Sequence, residues 1–216
     1  MLSQPKAKIA VQSKAGDAAF DCASGERLLY AGLAQGLTLP YECATGTCGT
    51  CRGRIVQGTF AVDWPEAPGA ARLKADKGDV LLCQTHATSD CVVRVAANVT
   101  RSEDEGPLPM RRQARIAVAR RLTPDVIHLE IDIAVPMTFA AGQFVVMELP
   151  SIAGGRAYSM VNYGSDLERL VFVIKRKPGG GFGDRLFGAD PTGADVSRFG
   201  PLERATWRPQ EQRDIL

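Results

Sequence analysis

The sequence predicts an α+β protein of two domains, and three observations carry this prediction. Residues 26–35 have the 3.6-residue period of an amphipathic helix, and strand-like stretches surround them within residues 1–99. Further strand-like stretches, broken by Gly and Pro, fill residues 112–205. Residues 100–109 are charged, contain two prolines and lack periodicity, which is typical of a linker. We therefore expect a linker at 100–111 between the two domains.

The elements of the first domain follow a simple order. Two alternating strands come first, the helix comes second and ends at Gly36, and a cysteine-containing loop and returning strands follow. We expect the strands at residues 8–12, 18–22, 52–57 and 91–96.

The second domain contains mainly strands. Several strands at this spacing predict an antiparallel β-barrel. We expect them at residues 114–121, 126–133, 143–149, 156–162 and 170–175.

Four of the six cysteines follow the C-x4-C-x2-C…C spacing by which a plant-type 2Fe-2S cluster is held. They are Cys43, Cys48, Cys51 and Cys83. Each iron takes two thiolates, so a tight loop would supply three ligands and a distant segment the fourth. Gly46 and Gly49 allow unusual φ angles in this loop, and its small side chains let backbone N–H groups approach sulfur. The pattern predicts a protein that carries electrons.

Two other interpretations of these cysteines remain open. One is buried free thiols, and the other is a zinc site. A zinc-ribbon-like set would consist of Cys48, Cys51, Cys83 and His86. That set leaves Cys43 unused and gives no reason for the glycines beside it. A Rieske centre needs two histidines on one iron, and the only other histidine, His128, lies in no Cys-x-His motif.

The composition excludes some classes of protein. Lys and Arg number 26 against 24 Asp and Glu, a balance too even to indicate nucleic-acid binding. No apolar run approaches the roughly 18 residues that would span a bilayer, so we expect no membrane partner. Cysteines without a signal segment indicate a reducing compartment, and we expect the cytoplasm. Cys22 and Cys91 lie in strand-like stretches, where we expect small buried hydrophobic residues.

Residues 5–97 resemble the β-grasp fold of plant-type 2Fe-2S ferredoxins. The resemblance is carried by the order of elements, by the approach Leu39-Pro-Tyr-Glu-Cys43 and by Leu81-Leu-Cys-Gln84 around the fourth cysteine. It implies a ferredoxin domain over residues 1–99.

Residues 112–205 resemble the flavin-binding domain of ferredoxin-NADP reductase-like enzymes. Arg156-Ala-Tyr-Ser159 matches the Arg-x-Tyr-Ser strand of that family, with Ala141-Gly-Gln-Phe144 before it and Val173-Ile-Lys175 and Gly179-Gly-Gly181 after it. The chain departs from the family at two positions. Glu203 replaces the last glycine of the family's Gly-Pro-x-Gly motif, and Gly183 replaces a residue that is usually Ser or Thr. The resemblance implies an FAD-binding barrel.

The roles of the flavin residues also follow from the resemblance. Arg156 would hold the pyrophosphate, Tyr158 would contact the isoalloxazine and ribityl chain, and Ser159 would hydrogen-bond near N5. A short helix after the glycines would direct its N-terminus at the pyrophosphate. The implied FAD-binding residues are Arg156, Ala157, Tyr158, Ser159, Ile174, Lys175, Gly180, Gly181, Phe182 and Gly183.

The domain order resembles that of reductase components of bacterial multicomponent oxygenases, of the carbazole dioxygenase and toluene monooxygenase type. It favours FAD over FMN. The resemblance implies an oxidoreductase that passes electrons from NAD(P)H through FAD and a 2Fe-2S cluster to an oxygenase component or its ferredoxin.

That family continues with a nucleotide-binding domain. We expect residues 206–216 to begin such a domain, with the NADH site not on this chain, and we expect the 216-residue chain not to oxidise NADH at a useful rate. Two other functions remain open. One is a stand-alone iron-sulfur flavoprotein electron carrier, and the other is an iron-sulfur sensor or binding module, which needs no flavin.

Overall fold

The computed structural model describes residues 5–102, 106–150 and 152–203. The chain divides into two compact units, residues 1–110 and 111–216. The predicted start of a nucleotide-binding domain, residues 206–216, lies outside the described residues. Among the helices that are described, none is long and apolar enough to cross a membrane.

The first unit is a mixed sheet with one short α-helix. Its sheet has the strand order β2-β1-β7-β3-β5, in which β1 and β7 run parallel and the other pairs run antiparallel. A two-stranded sheet of β4 and β6 lies apart from it. The elements are β1 Lys6–Ser13, β2 Gly16–Ala23, α1 Leu28–Leu33, β3 Arg52–Gln57, β4 Phe60–Val62, β5 Asp79–Leu81, β6 Thr85–Ala87 and β7 Cys91–Arg94.

Helix α1 is shorter than the predicted 26–35. Arg27 has an extended backbone, and Gly36 has φ +78°, a left-handed value that ends the helical stretch. All six residues of α1 are buried, and the helix packs against β2 and β6. A Cβ at Gly32 would lie 2.4 Å from Leu39 Cδ1, so the helix lies close to the segment that leads to Cys43.

Residues 100–102, within the expected linker, pair with the segment after α1. The Thr38 N–H donates to the Thr100 carbonyl at 2.9 Å, and the Ser102 N–H donates to the Gly36 carbonyl at 2.7 Å. Leu37 and Arg101 form an isolated antiparallel bridge. Backbone hydrogen bonds therefore hold residues 100–102 beside residues 36–38, the segment that precedes the cysteine loop.

The second unit is a curled antiparallel sheet, a half-barrel, with one helix. Its strand order is β11-β10-β13-β8-β9-β12. The Val161 N–H beyond β11 donates to the Val171 carbonyl of β12 at 2.9 Å, which brings the two edges of the sheet together. The predicted α+β class is thus confirmed. The elements are β8 Met110–Thr123, β9 Val126–Phe139, β10 Phe144–Glu148, β11 Arg156–Ser159, β12 Gly164–Lys175, α2 Gly181–Gly188 and β13 Asp195–Leu202.

Several bounds in this unit differ from those expected. Strands β8 and β9 have 14 residues each, and β12 begins six residues earlier than the predicted 170. Strand β13 was not predicted, because Arg198 and Pro201 interrupt its apolar pattern although both are buried. The short helix expected after the glycines is confirmed as α2.

A buried carboxylate stabilises the edge of the first sheet. Asp79 in β5 accepts from Arg54 Nε at 2.7 Å and from the Lys74 N–H at 3.1 Å, and it also pairs with Arg52. The hydrogen bond from Arg54 and these further contacts hold the pKa of Asp79 at about 2. A pKa below that of the unfolded chain means that ionised Asp79 favours the folded state.

We predict that Asp79→Asn lowers the free energy of unfolding at pH 7 by about 1–2 kcal/mol. This value is smaller than the shift in pKa alone would give, because Arg52 and Arg54 are partly exposed and solvent screens their ion pairs with Asp79. The wild-type contribution is fully present above pH ~4 and is lost as the pH falls towards about 2. The difference between the two proteins should therefore shrink over that interval. Urea unfolding at several pH values measures it.

The matched control is Asp17→Asn, at an exposed position of β2. This variant should follow the wild type at every pH. A constant difference between Asp79→Asn and the wild type from pH 7 to pH 2.5 would contradict the prediction.

Candidate functional site

The loop that carries three of the four cysteines is held open by left-handed backbone at three positions. Gly46 has φ +89° and Gly49 has φ +84°, which confirms the unusual angles expected there. Ala44 has φ +55° and is fully buried. The buried Tyr30 of α1 donates its hydroxyl proton to the Ala44 carbonyl at 2.8 Å and so fixes this strained residue.

Backbone N–H groups in the loop are directed at sulfur. The N–H groups of Thr45 and Cys48 each donate to Cys43 Sγ at 3.4 Å, and the Thr50 N–H donates to Cys48 Sγ at 3.4 Å. Burial alone would raise the pKa of the Cys43 thiol, but the N–H groups of Thr45 and Cys48 hold it below its usual value. The loop therefore favours negative charge on sulfur, as a metal ligand requires.

The fourth cysteine comes from a distant part of the sequence. Cys83 lies in a 3-10 turn between β5 and β6, and its Sγ lies 3.2 Å from Cys51 Sγ. The Leu82 N–H donates to the Cys51 carbonyl at 2.9 Å and fixes this approach. The hydrogen bond between the two sulfurs lowers the pKa of Cys51 and raises that of Cys83, so Cys51 ionises first.

The contacts divide the four cysteines into two pairs. Cys43 and Cys48 are joined by the N–H···S bond and are partly or fully exposed, whereas Cys51 and Cys83 touch through sulfur and are buried. Two thiolates on each of two irons is the arrangement that a binuclear cluster needs. Within the described ranges, no three His, Cys, Asp or Glu side chains converge on a single ion.

The zinc-ribbon-like set is not assembled. His86 directs its Nδ1 at Asp63 Oδ1, 3.2 Å away, in a partly exposed pair. Cys22 and Cys91 are buried as expected, and they donate to the carbonyls of Glu26 and Thr59. Burial raises the pKa of Cys22 to about 11, so this thiol stays protonated.

The expected flavin residues on β11 alternate between two faces. Arg156 lies opposite Met147 and Tyr158 lies opposite Val145, and both are half-buried on the face that carries the core. Ala157 and Ser159 are exposed on the other face. Arg156 Nη1 donates to the Gly155 carbonyl at 2.8 Å, which turns the guanidinium back towards residues 152–155.

Helix α2 meets the same region with its N-terminus. The ring centroids of Tyr158 and Phe182 lie 5.5 Å apart, and a Cβ at Gly181 would lie 3.8 Å from Ile152 Cγ2. Gly180 is the extended residue before the first turn, and no side chain caps the helix. The arginine, the tyrosine and the glycine-led helix start are thus neighbours, and this chemistry suits a phosphate beside an aromatic ring.

Three of the expected residues take positions that are mainly structural. Ile174 is buried in the core of the half-barrel, and Phe182 and Gly183 are buried in α2. Lys175 is exposed and faces Asp125, with Nζ 3.6 Å from Oδ2.

The sequence reasoning overlooked Ile152, which lies beside Gly181, and Gln84, whose amide lies beside Cys83. The position of Gln84 directly after the fourth cysteine of the spacing was the available signal.

The chain is similar to known proteins in both sequence and structure. Residues 11–88 match the family model of the 2Fe-2S iron-sulfur cluster binding domain. A solved ferredoxin reductase in carbazole 1,9a-dioxygenase superposes on 97% of this chain and 62% of its own, with a TM-score of 0.82 and 32% identity. The chain joins a 2Fe-2S cluster-binding domain to a FAD-binding reductase fold. The predicted resemblance and the predicted cofactors, a 2Fe-2S cluster and FAD, are thereby confirmed.

Two curated relatives align with most of this chain. The alkene monooxygenase system ferredoxin-NAD(+) reductase component of Xanthobacter autotrophicus is 39% identical over 198 residues, which is 91% of this chain and 59% of the relative. The ferredoxin-NAD(P)(+) reductase CarAd of Metapseudomonas resinovorans is 35% identical over 204 residues, 93% of this chain and 61% of the relative. The chain spans about three fifths of the length of these relatives.

We predict that Cys51→Ser abolishes or distorts the cluster, because Cys51 and Cys83 form the buried half of the site. Counts of iron and labile sulfide, with the visible absorption of the purified protein, measure this. Cys22→Ser is the control and should retain a full cluster, since Cys22 takes no part in the site. Stoichiometric zinc in place of iron in the wild type would contradict the ligand set.

We also predict that Arg156→Ala weakens FAD binding more than Ser159→Ala does. The first change removes a charge-assisted bond of about 1.5–3 kcal/mol and the second a neutral bond of about 1 kcal/mol. Fluorescence of flavin released on dilution gives both dissociation constants. Arg185→Ala, at an exposed position of α2, controls for the lost charge. Equal retention of FAD by the Arg156 and Ser159 variants would disprove the assigned roles.

Proposed function

We propose that this chain is the electron-transferring part of a reductase component, which passes electrons from NAD(P)H through FAD and a 2Fe-2S cluster to an oxygenase component or its ferredoxin. One observation carries the proposal. A single chain holds a four-cysteine site with N–H donors on its sulfurs, followed by a strand that presents an arginine and a tyrosine to a glycine-led helix.

The first unit would hold the cluster and stabilise its charge. When bound, the cluster accepts and releases one electron at a time. The donors on Cys43 and Cys48 stabilise thiolate charge, and the buried Cys51 and Cys83 exclude water from one side. The exposed Cys48 is the point at which a partner could approach most closely. We place the exit of electrons on that side of the loop.

The second unit would bind and orient the flavin. FAD converts the two electrons of a hydride into single electrons. Arg156 and the start of α2 would hold the pyrophosphate, while Phe182 supports the ring of Tyr158 from within the core. Burial raises the pKa of Tyr158, an effect that Arg156 partly offsets, so its hydroxyl stays a hydrogen-bond donor at neutral pH.

The proposed partner follows from the relatives. Their names place them in alkene monooxygenase, toluate 1,2-dioxygenase and phenol 2-monooxygenase systems. The partner of this chain would accordingly be an oxygenase component or its ferredoxin in the cytoplasm, and the organic substrate would belong to the oxygenase.

Photoreduction tests the proposed route. Anaerobic illumination of the FAD-loaded chain with a tertiary-amine donor should bleach the flavin and the cluster together, because electrons entering at the flavin reach the cluster. The reduced chain should then reduce cytochrome c as an external one-electron acceptor. Absorption spectra recorded during illumination and after mixing measure both steps.

The Cys51→Ser protein is the matched control for this experiment. Its flavin should still bleach, and its transfer to cytochrome c should fall at least tenfold. Unchanged transfer in this variant, or a wild-type chain that binds no flavin, would disprove the proposed route.

A further inference from the structure

Gln84 is a buried polar residue beside the fourth cysteine. It directly follows Cys83 in the 3-10 turn, and 1% of its surface is exposed. Its backbone carbonyl accepts from the Asp63 N–H at 2.8 Å, so the main chain of the turn is fixed. The burial of an uncharged amide at this point requires an explanation, since an unsatisfied buried amide costs free energy.

The side-chain amide lies between the fourth ligand and the cysteine loop. Gln84 Nε2 lies 3.8 Å from Cys83 Sγ, within the distance of an N–H···S bond. A Cβ built on Gly46 would lie 3.1 Å from Gln84 Cγ and 3.2 Å from Nε2, so the side chain packs directly on the loop. An amide oxygen at this place would face the lone pairs of sulfur, which is why the nitrogen occupies it.

The other end of the amide has no hydrogen-bond partner among the described residues. Oε1 is buried without a hydrogen bond, one of two such side-chain atoms in the part of the chain that the structure describes. Gln84 also lines a cavity of about 110 Å³, together with Trp64 and Leu73. A cavity of this size has room for water, which would satisfy the oxygen and leave the nitrogen to sulfur.

We propose that Gln84 is a positioning residue that raises the reduction potential of the cluster by donating its amide N–H to the sulfur of Cys83. The proposal rests on the function proposed above. On reduction the cluster gains one electron from an external donor, and its sulfurs become more negative. A donor to sulfur stabilises the reduced form more than the oxidised form and so favours uptake of the electron.

The test compares redox titrations of the loaded chain, followed by the electron paramagnetic resonance signal of the reduced cluster. Gln84→Met keeps the length of the side chain and removes the donor, so its potential should shift to more negative values. Gln84→Leu also removes the donor and keeps a side chain of similar volume, so its potential should also shift to more negative values. Gln57→Met, at an exposed position at the end of β3, should leave the potential unchanged.

A purely structural role for Gln84 would change the iron content or the melting temperature without moving the potential. A fully loaded Gln84→Met protein with the wild-type potential would therefore overturn the proposal. If Gln84→Met does not retain iron, Gln84→Leu decides by the same criterion. A wild-type chain without iron would instead refute the function proposed above, which is a separate outcome.

Discussion

The cysteine site depends on the pairing of β3 with β5. Their register sets Arg52 opposite Leu81. Cys51, directly before β3, and Cys83, two residues after β5, therefore meet at one end of the pair. The bond from the Leu82 N–H to the Cys51 carbonyl continues the pairing to the sulfur atoms. Three of the four proposed ligands lie within nine residues of sequence, yet the complete set is a tertiary property of this sheet edge.

The same edge explains why a charged residue is buried in a small domain. Asp79 belongs to β5 and is held by arginines from β3, so its ion pairs connect the two strands that flank Cys51 and Cys83. Breaking a buried pair by removing one partner costs more than the pair contributes, because a charge is left without compensation. The ion pairs therefore hold together the two strands whose ends bring Cys51 and Cys83 into contact.

The sequence predicted those features of the site that depend on spacing and local backbone. Glycines at 46 and 49 indicated left-handed angles, and the cysteine spacing indicated a loop and a distant ligand, because both are properties of short segments. Ala44 could not be predicted, since its left-handed backbone depends on Tyr30 from another element. The sulfur contact of Gln84 likewise depends on how two loops pack.

The second unit shows a similar limit. The Arg-x-Tyr-Ser strand was predicted from its residues. The alternation of side chains along β11 did not by itself show which face of the strand would be buried. Strand β13 was overlooked because Arg198 is buried only after the sheet curls. Its Nη1 contacts Met137 Sδ at 3.3 Å, burial lowers its pKa, and its Nε has no partner among the described residues. Burial of this kind arises from the whole sheet.

The segment around Gly69 packs directly against the cysteine loop. The Gly69 N–H donates to the Gly46 carbonyl at 2.9 Å, and a Cβ at Gly69 would lie 2.6 Å from the Gly49 nitrogen. At Gly69 and Gly49 the two segments therefore meet backbone to backbone. Because a Cβ at residue 69 would meet the Gly49 nitrogen, any larger residue there would separate this segment from the loop and break the bond to the Gly46 carbonyl.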